Sequence, residues 1–150
     1  MKNILIITVF VFYIFSCSRD KQNMIQSSSE DSVTDGIFIH ITESYNNPHK
    51  VLMALKMADI MSVDKDVLVY IDILGAEWVI NGSKDITHNE FESAHTYLRR
   101  LIEKRVGIYV CPTCLKAAGF SDADLIEGLQ IANKERFFDF TDGKIITIDY

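Results

Sequence analysis

The feature of this sequence that most limits its fold is an alternation of short strand-like runs with helix-like patterns. The run Val67–Leu74 consists largely of Val, Ile and Leu, which is typical of a strand covered on both faces. A helical pattern led by Pro48 precedes it, and a second pattern, Asn89–Lys104, follows it. Because parallel neighbours need helical crossovers, the alternation predicts an α/β fold with an open, mainly parallel sheet and helices on both faces.

Five strands are predicted in this part of the chain, with helical segments between them. The strands are Gly36–Thr42, Val67–Leu74, Val106–Val110, Gly128–Ile131 and Lys144–Asp149. The helical segments are Pro48–Met61, Asn89–Lys104, Leu115–Gly119, a short turn capped by Ser121, and Lys134–Phe140. The pair Asp142-Gly143 could instead close a β-hairpin, and periodicity alone leaves both arrangements open.

Residues 1–16 are typical of an export signal rather than of the fold. The apolar run Ile4–Phe15 follows Lys2 and is shorter than the roughly 20 residues that span a bilayer. It ends in Ile14-Phe15-Ser16-Cys17, which resembles a bacterial lipobox with Cys17 as the lipidated residue. The alternative is ordinary secretory cleavage near Ser16, which leaves Cys17 a free thiol.

These features predict three regions: a lipoprotein signal peptide at 1–16, a flexible tether at 17–35 and a folded domain at 36–150. The tether is Ser-rich and charged and has no apolar period. A lipid on Cys17 would anchor the domain to a membrane without a spanning segment. We therefore expect the protein in the cell envelope, on the periplasmic or extracellular side, with the lipid anchor as its sole membrane contact.

Composition excludes some classes of function. Apolar residues make up 48% of the chain, enough for a core. The chain has 15 Lys+Arg against 21 Asp+Glu, a net charge of −6, so it lacks the basic surface that binding to nucleic acid requires. Its three cysteines are too few for a disulfide scaffold.

Two of these cysteines form the motif Cys111-Pro112-Thr113-Cys114, directly after the third predicted strand. Reactive groups gather beyond the carboxyl ends of parallel strands, so this is the expected edge for a site. Pro112 would be the first residue of the next helix, which places Cys111 near the N-cap and Cys114 one turn later on the same face. The helix N-terminus favours a thiolate, so we predict Cys111 to be the more acidic and more nucleophilic thiol.

The residues alone leave three interpretations of this pair open. The first is a thiol pair used in redox or sulfur-transfer chemistry. The second is a structural disulfide between Cys111 and Cys114 in a non-enzymatic module that binds a small ligand or a protein. The third is a periplasmic metal binder that uses both thiols with a histidine. The four histidines are scattered at positions 40, 49, 88 and 95, so neither a metal site nor a cofactor is predicted.

The segment Gly107–Phe120, followed by Asp124–Leu129, resembles the DsrE/DsrF-like family. The matching features are a hydrophobic strand that ends in Cys111, the later Gly119, an acidic-Leu-Ile turn and a Gly-hydrophobic strand. The likeness covers about residues 36–150. It implies a flavodoxin-like three-layer sandwich with a five-stranded sheet, and it favours the parallel fifth strand over the hairpin. It also implies homo-oligomers, often trimers or hexamers, and a persulfide-carrying cysteine that corresponds to Cys111.

The expected function is therefore that of an exported, lipid-anchored DsrE-like domain. Cys111 would carry sulfur as a persulfide or exchange thiol for disulfide, and Cys114 would resolve the product. The resemblance implies a thiol or sulfur-relay protein as partner. The sulfur-relay members of the family work in the cytoplasm, whereas this chain carries an export signal.

Residues outside the cysteine pair are expected to be structural. Residues 43–45 follow the first strand and should form a solvated loop. The apolar stretch Trp78–Ile80 should cover the cysteine pocket or, as the preferred interpretation, lie in a subunit interface. His88 and His95 should be surface or hydrogen-bonded core residues, and His40 a core or interface residue.

Overall fold

The structure is a computed structural model that describes residues 33–150. The predicted signal peptide, Cys17 and all but the last residues of the predicted tether lie outside the described residues. Within the described part, all strand pairs are parallel and the sheet has five strands in the order β4-β3-β2-β1-β5. The strands are β1 Gly36–Ile41, β2 Asp66–Ile71, β3 Gly107–Val110, β4 Gln130–Ile131 and β5 Ile145–Asp149. The predicted α/β fold is confirmed, and the hairpin is excluded because β5 pairs parallel with β1.

Three α-helices connect these strands: α1 Pro48–Met61, α2 Ala94–Glu103 and α3 Pro112–Ala117. Asn47 caps α1 by accepting the N–H of Lys50, and Ser93 caps α2 by accepting the N–H of Thr96. The described residues also form short 3₁₀ helices at Ile73–Glu77, Asp122–Asp124 and Lys134–Phe137.

The order of the strands explains the layers. Strands β1 to β4 follow one another across the sheet, so right-handed crossovers place α1, α2 and α3 on the same face. Strand β5 returns to the free side of β1, and the chain before it crosses the opposite face. There the ring of Phe137 contacts Phe38 and Tyr70. The third layer of the sandwich is therefore thin.

Alternation along the strands separates two kinds of side chain. Apolar residues such as Ile39, Val69 and Ile108 point toward the helices and belong to the main buried core. Several of their neighbours on the other face are aromatic or polar, and His40, Tyr70 and Tyr109 pair side by side across β1, β2 and β3. His40 and Tyr70, which are discussed again below, therefore lie on this second face.

Several predicted boundaries are wrong: the third helix is Pro112–Ala117 rather than 115–119, and the fourth strand is Gln130–Ile131 rather than 128–131. Three others differ for a local reason. The second strand ends at Ile71 rather than Leu74, because Ile73 adopts φ +49° and a 3₁₀ helix begins there. Helix α2 begins at Ala94 rather than near Asn89, since Ser93 supplies the cap. The last predicted helix, 134–140, is the short 3₁₀ helix Lys134–Phe137.

The stretch Trp78–Ile80 belongs to the core of the chain itself, so the preferred interpretation as a subunit interface is wrong. Trp78 has 0% exposure and lies in the main core cluster with Val79 and Ile80. Its indole N–H donates to the backbone carbonyl of Glu43 at 3.2 Å, which satisfies its polar atom. The buried indole therefore ties this long connection to the loop after β1.

Replacing Trp78 with Phe should lower the free energy of unfolding by about 2 kcal/mol, through lost volume and the lost indole hydrogen bond. Urea unfolding followed by circular dichroism at two protein concentrations measures the effect. The difference from the wild type should be the same at both concentrations. Leu74→Ala, at a 41% exposed position nearby, is the control and should cost well under half as much. If the difference in the free energy of unfolding between variant and wild type becomes larger at the lower protein concentration, Trp78 lies in an interface between subunits.

Candidate functional site

Cys111 stands where β3 turns into α3. Its N–H donates to the carbonyl of Ile71 at 2.9 Å, which extends the pairing of β2 with β3 by one residue. Its own carbonyl accepts the N–H of Leu115 at 3.0 Å and starts the first turn of α3. Cys111 is the N-cap of that helix and Pro112 its first residue, as the sequence predicted. The same residue therefore ends a strand and caps a helix.

The Sγ of Cys111 takes the place that a Ser or Asp oxygen usually has at an N-cap. It accepts the N–H of Cys114 at 3.4 Å. Partial burial raises the pKa of Cys111, but hydrogen bonds from Cys114, from the phenol of Tyr70 and from the N–H of Thr113 outweigh it. The net pKa lies below the ordinary value of a cysteine thiol, because these donors favour the thiolate.

The second thiol has the opposite character. Burial raises the pKa of Cys114, and its hydrogen bond to Cys111 and the negative charge of Asp72 raise it further. The N–H of Ile73 opposes these effects without cancelling them. Cys111 and Cys114 are both free and partly exposed. The pair can therefore hold one thiolate, at Cys111, beside a protonated thiol at Cys114.

A hydrogen-bonded histidine, His40, lies on the same face of the sheet as Tyr70. His40, in β1, directs Nδ1 at Asp149 (2.8 Å) and Nε2 at Asp72 (2.9 Å), and its ring stacks on that of Tyr70 with centroids 5.4 Å apart. Both hydrogen bonds form together only when both ring nitrogens carry protons or a carboxyl does. About a quarter of the side chain is exposed, so His40 is not a fully buried core residue, and the alternative of an interface residue stays a prediction.

Sequence reasoning singled out the two cysteines but did not name the residues around them. Tyr70, Asp72 and Asp149 were not predicted as site residues, yet all lie at or just beyond the carboxyl ends of strands next to β3 or β1. The sequence pattern that could have identified them is a polar or aromatic side chain at the end of an apolar strand. This pattern was not recognised at Tyr70 and Asp72 because the second strand was predicted to continue to Leu74.

The other candidate residues are structural. Ser44 is 1% exposed and donates to the carboxylate of Glu77 at 3.1 Å, so residues 43–45 are not simply a solvated loop. His88 stacks on His49 with ring centroids 5.1 Å apart. His95 approaches Asp85 at 3.8 Å through Nδ1. These contacts join loops to helices and do not involve the thiols.

Two structural properties of residues 33–150 bear on the interpretations given above. Among residues 33–150, no group of three or more His, Cys, Asp or Glu side chains is arranged to hold a metal ion. The metal-binder interpretation therefore has no complete ligand set in this part. In the same residues no helix is long and apolar enough to cross a membrane.

A parallel α/β domain with a cysteine at the turn from strand to helix defines a class of thiol-bearing domains. Residues 35–144 match the DsrE/DsrF-like family, which covers most of the chain. The protein belongs to this family.

Individual proteins are also similar to this chain. An uncharacterised protein of Methanocaldococcus jannaschii is 27% identical over 108 residues, which are 71% of this chain and 39% of the relative. The chain thus spans well under half the length of this curated relative. The crystal structure of the ychN protein from E. coli superposes with a TM-score of 0.61 at 18% identity, covering 77% of this chain and all of that one. A protein of unknown function from Methanobacterium thermoautotrophicum gives 0.52 at 15% identity, covering 77% and 99%. At these identities the solved structures establish the shared fold.

Alkylation should label Cys111 at lower pH than Cys114. A lowered pKa keeps the thiolate populated as the pH falls below the usual cysteine range, whereas the raised pKa of Cys114 delays its ionisation. Iodoacetamide labelling across a pH series, located by fragment-ion mass spectrometry, measures both midpoints. Denatured protein is the control and should show two similar midpoints. Equal midpoints in the folded protein would contradict the assignment.

Proposed function

We propose that this protein is a thiol-based sulfur carrier, in which Cys111 holds a persulfide or mixed disulfide and Cys114 resolves it. The observation that carries the proposal is the position of the Cys111 Sγ at an N-cap, partly exposed, with the N–H of Cys114 as donor. Membership of the DsrE/DsrF-like family supports the choice of sulfur chemistry over other uses of a thiolate.

The proposed chemistry begins with the Cys111 thiolate and a persulfide donor. The thiolate attacks the outer sulfur of the donor, the donor's S–S bond breaks, and the donor leaves as a thiolate. Cys111 then holds the persulfide. Attack by Cys114 on Cys111 Sγ forms the Cys111–Cys114 disulfide and expels the outer sulfur as hydrosulfide. A dithiol reductant must then return both cysteines to thiols, which is the role proposed for a partner protein.

Homo-oligomers, such as trimers or hexamers, are part of the same proposal. Their support in the described residues is a set of exposed apolar side chains near the outer strand β5. Phe138 is 74% exposed, Ile146 61% and Ile145 40%. Exposed apolar side chains close to an unpaired strand edge are typical of contact surfaces between subunits.

Export and lipid anchoring remain proposals based on residues 1–17. The apolar run, the lipobox-like junction and the Ser-rich stretch after Cys17 support them. They would place the thiol pair in the cell envelope, where the reductant must also be an envelope protein.

Incubation of the domain with a low-molecular-weight persulfide should add the mass of one sulfur atom to the wild type. Cys111→Ser should abolish the adduct, because it removes the attacking thiolate, whereas Cys114→Ser should keep it longer, because it removes the resolving thiol. Intact mass under non-reducing conditions measures all three proteins. An adduct on Cys111→Ser, or no adduct on reduced Cys114→Ser, would overturn the proposal. A disulfide already present before exposure to the persulfide and unaffected by dithiol would instead support the binding module.

Cys17→Ser should abolish incorporation of a labelled fatty acid and move the protein from the membrane fraction to the soluble fraction. Fractionation and label counting of the expressed full-length chain measure both effects. Ser16→Thr, which keeps Cys17, is the matched control for changes at the junction. Equal labelling of wild type and Cys17→Ser would contradict lipidation there.

A further inference from the structure

Tyr70 and Cys111 meet because of the register of two parallel strands. Tyr70 is the penultimate residue of β2 and pairs with Tyr109 of β3, two residues before Cys111. Cys111 continues that pairing through the carbonyl of Ile71. Side chains two residues apart share a face of the sheet, so Tyr70 lies on the same face as Cys111 and beside it across the strands, and its phenol is one of the groups that lower the pKa of Cys111.

The ring of Tyr70 is held on two sides. His40, its neighbour in β1, stacks on it at an interplanar angle of 19°. Phe137, from the thin third layer, meets it edge-on with ring centroids 4.9 Å apart and an interplanar angle of 69°. These contacts restrict the ring to one direction and so fix the direction of its hydroxyl.

His40 is itself fixed by carboxylates from two parts of the sheet edge. Asp72 follows β2 and Asp149 ends β5, and each is hydrogen-bonded to a different ring nitrogen. Asp149 also lies beside His40 in the register of β1 and β5. A ring bonded at both nitrogens can neither flip nor rotate without losing a hydrogen bond.

We propose that Tyr70 is a catalytic residue of the thiol site, donating its hydrogen bond to Cys111 Sγ whenever that sulfur is anionic, and that His40 is the positioning residue that aims it. This inference rests on the proposed sulfur transfer. Burial and the hydrogen bond to Cys111 raise the pKa of Tyr70, so the phenol keeps its proton and acts as a neutral donor.

The role of Tyr70 is clearest when sulfur leaves the protein. An acceptor thiolate attacks the outer sulfur of the Cys111 persulfide, and a new S–S bond forms on the acceptor. The bond between that sulfur and Cys111 Sγ breaks, and its electron pair stays on Sγ. The thiolate that leaves is then stabilised by the N–H of Cys114 and the O–H of Tyr70, with no proton transferred.

The chain contains a matched control for Tyr70. Tyr109 pairs with Tyr70 on the same face of the sheet, but its ring folds back against Gly107, at the opposite end of β3 from Cys111. Tyr70→Phe and Tyr109→Phe each remove one hydroxyl from a largely buried ring. Only the first should affect the thiol.

Tyr70→Phe should move the midpoint of Cys111 alkylation upward by about one pH unit, the effect of losing one hydrogen bond to a charged group. It should also slow persulfide transfer to an acceptor thiol severalfold at neutral pH. Tyr109→Phe should leave both unchanged. The other titratable groups around the Cys111 thiol are Tyr70 and Cys114, and the negative charge of Asp72 raises the pKa of both. The Cys111 midpoint is therefore also measured in Cys114→Ser, which removes the contribution of the second thiol.

His40→Gln tests the positioning role. It should shift the Cys111 midpoint in the same direction as Tyr70→Phe but by less, because the phenol remains and is only less well aimed. The double variant should show no more than the Tyr70→Phe shift, since His40 would act through Tyr70 alone. Additive shifts, or a loss of stability with no shift, would reduce His40 to a structural residue and overturn this part.

The outcomes separate this inference from the proposed function. A wild type whose Cys111 midpoint equals that of the denatured chain defeats the proposed function. A low wild-type midpoint that Tyr70→Phe leaves in place, with the variant folded by circular dichroism, defeats the role of Tyr70 and leaves sulfur carriage standing.

Discussion

The structure depends on one backbone arrangement, the hydrogen bond from the N–H of Cys111 to the carbonyl of Ile71. This bond holds the end of β3 against β2 at the residue where the chain turns into α3. Because the carbonyl of Cys111 already belongs to the helix, its side chain must occupy the N-cap position. The sulfur is thereby brought close to N–H donors of the first helical turn without any dedicated loop. The acidity of the thiol is a consequence of the way strand and helix are joined.

The thin third layer follows from the order of the strands. A chain that builds β1 to β4 in one direction uses its helices on one face and has only the connection before β5 for the other. That connection supplies Phe137, which packs on Tyr70 and Phe38 instead of sealing the whole face. Polar side chains such as His40 can remain there with hydrogen-bond partners. Because this face of the sheet is only partly covered, His40 and its hydrogen-bonded carboxylates can lie there near the thiols.

The sequence predicted the parts of this architecture that depend on local pattern. Val67–Leu74 and Val106–Val110 were recognisable as strands from their composition, and Pro112 marked the start of α3 correctly. The position of Cys111 at the helix cap followed from these two. Gly119, in the left-handed region at φ +87°, ends that helix as its sequence context suggested.

The residues that sequence reasoning missed are set by contacts between distant segments. His40 and Asp149 are 109 positions apart, and only the return of β5 to the edge of β1 brings them together. Trp78 was misjudged for a similar reason, since its partner, the carbonyl of Glu43, lies 35 positions earlier. The periodicity of apolar residues does not predict such pairs. It shows which face of a strand or helix is buried, but not which distant residues pack against that face.

The two thiols have unequal roles for a reason that goes beyond their order in the helix. A side chain that donates a hydrogen bond to a neighbouring anion loses that interaction when it gives up its own proton. Each titratable side chain that lowers the pKa of Cys111 therefore has its own pKa raised. Cys114 and Tyr70 both show this, and the negative charge of Asp72 acts on each in the same direction. The negative charge is therefore concentrated on the one sulfur that caps the helix. Asp72 belongs to both parts of the arrangement, because it is also hydrogen-bonded to His40 and so holds the ring that stacks on Tyr70.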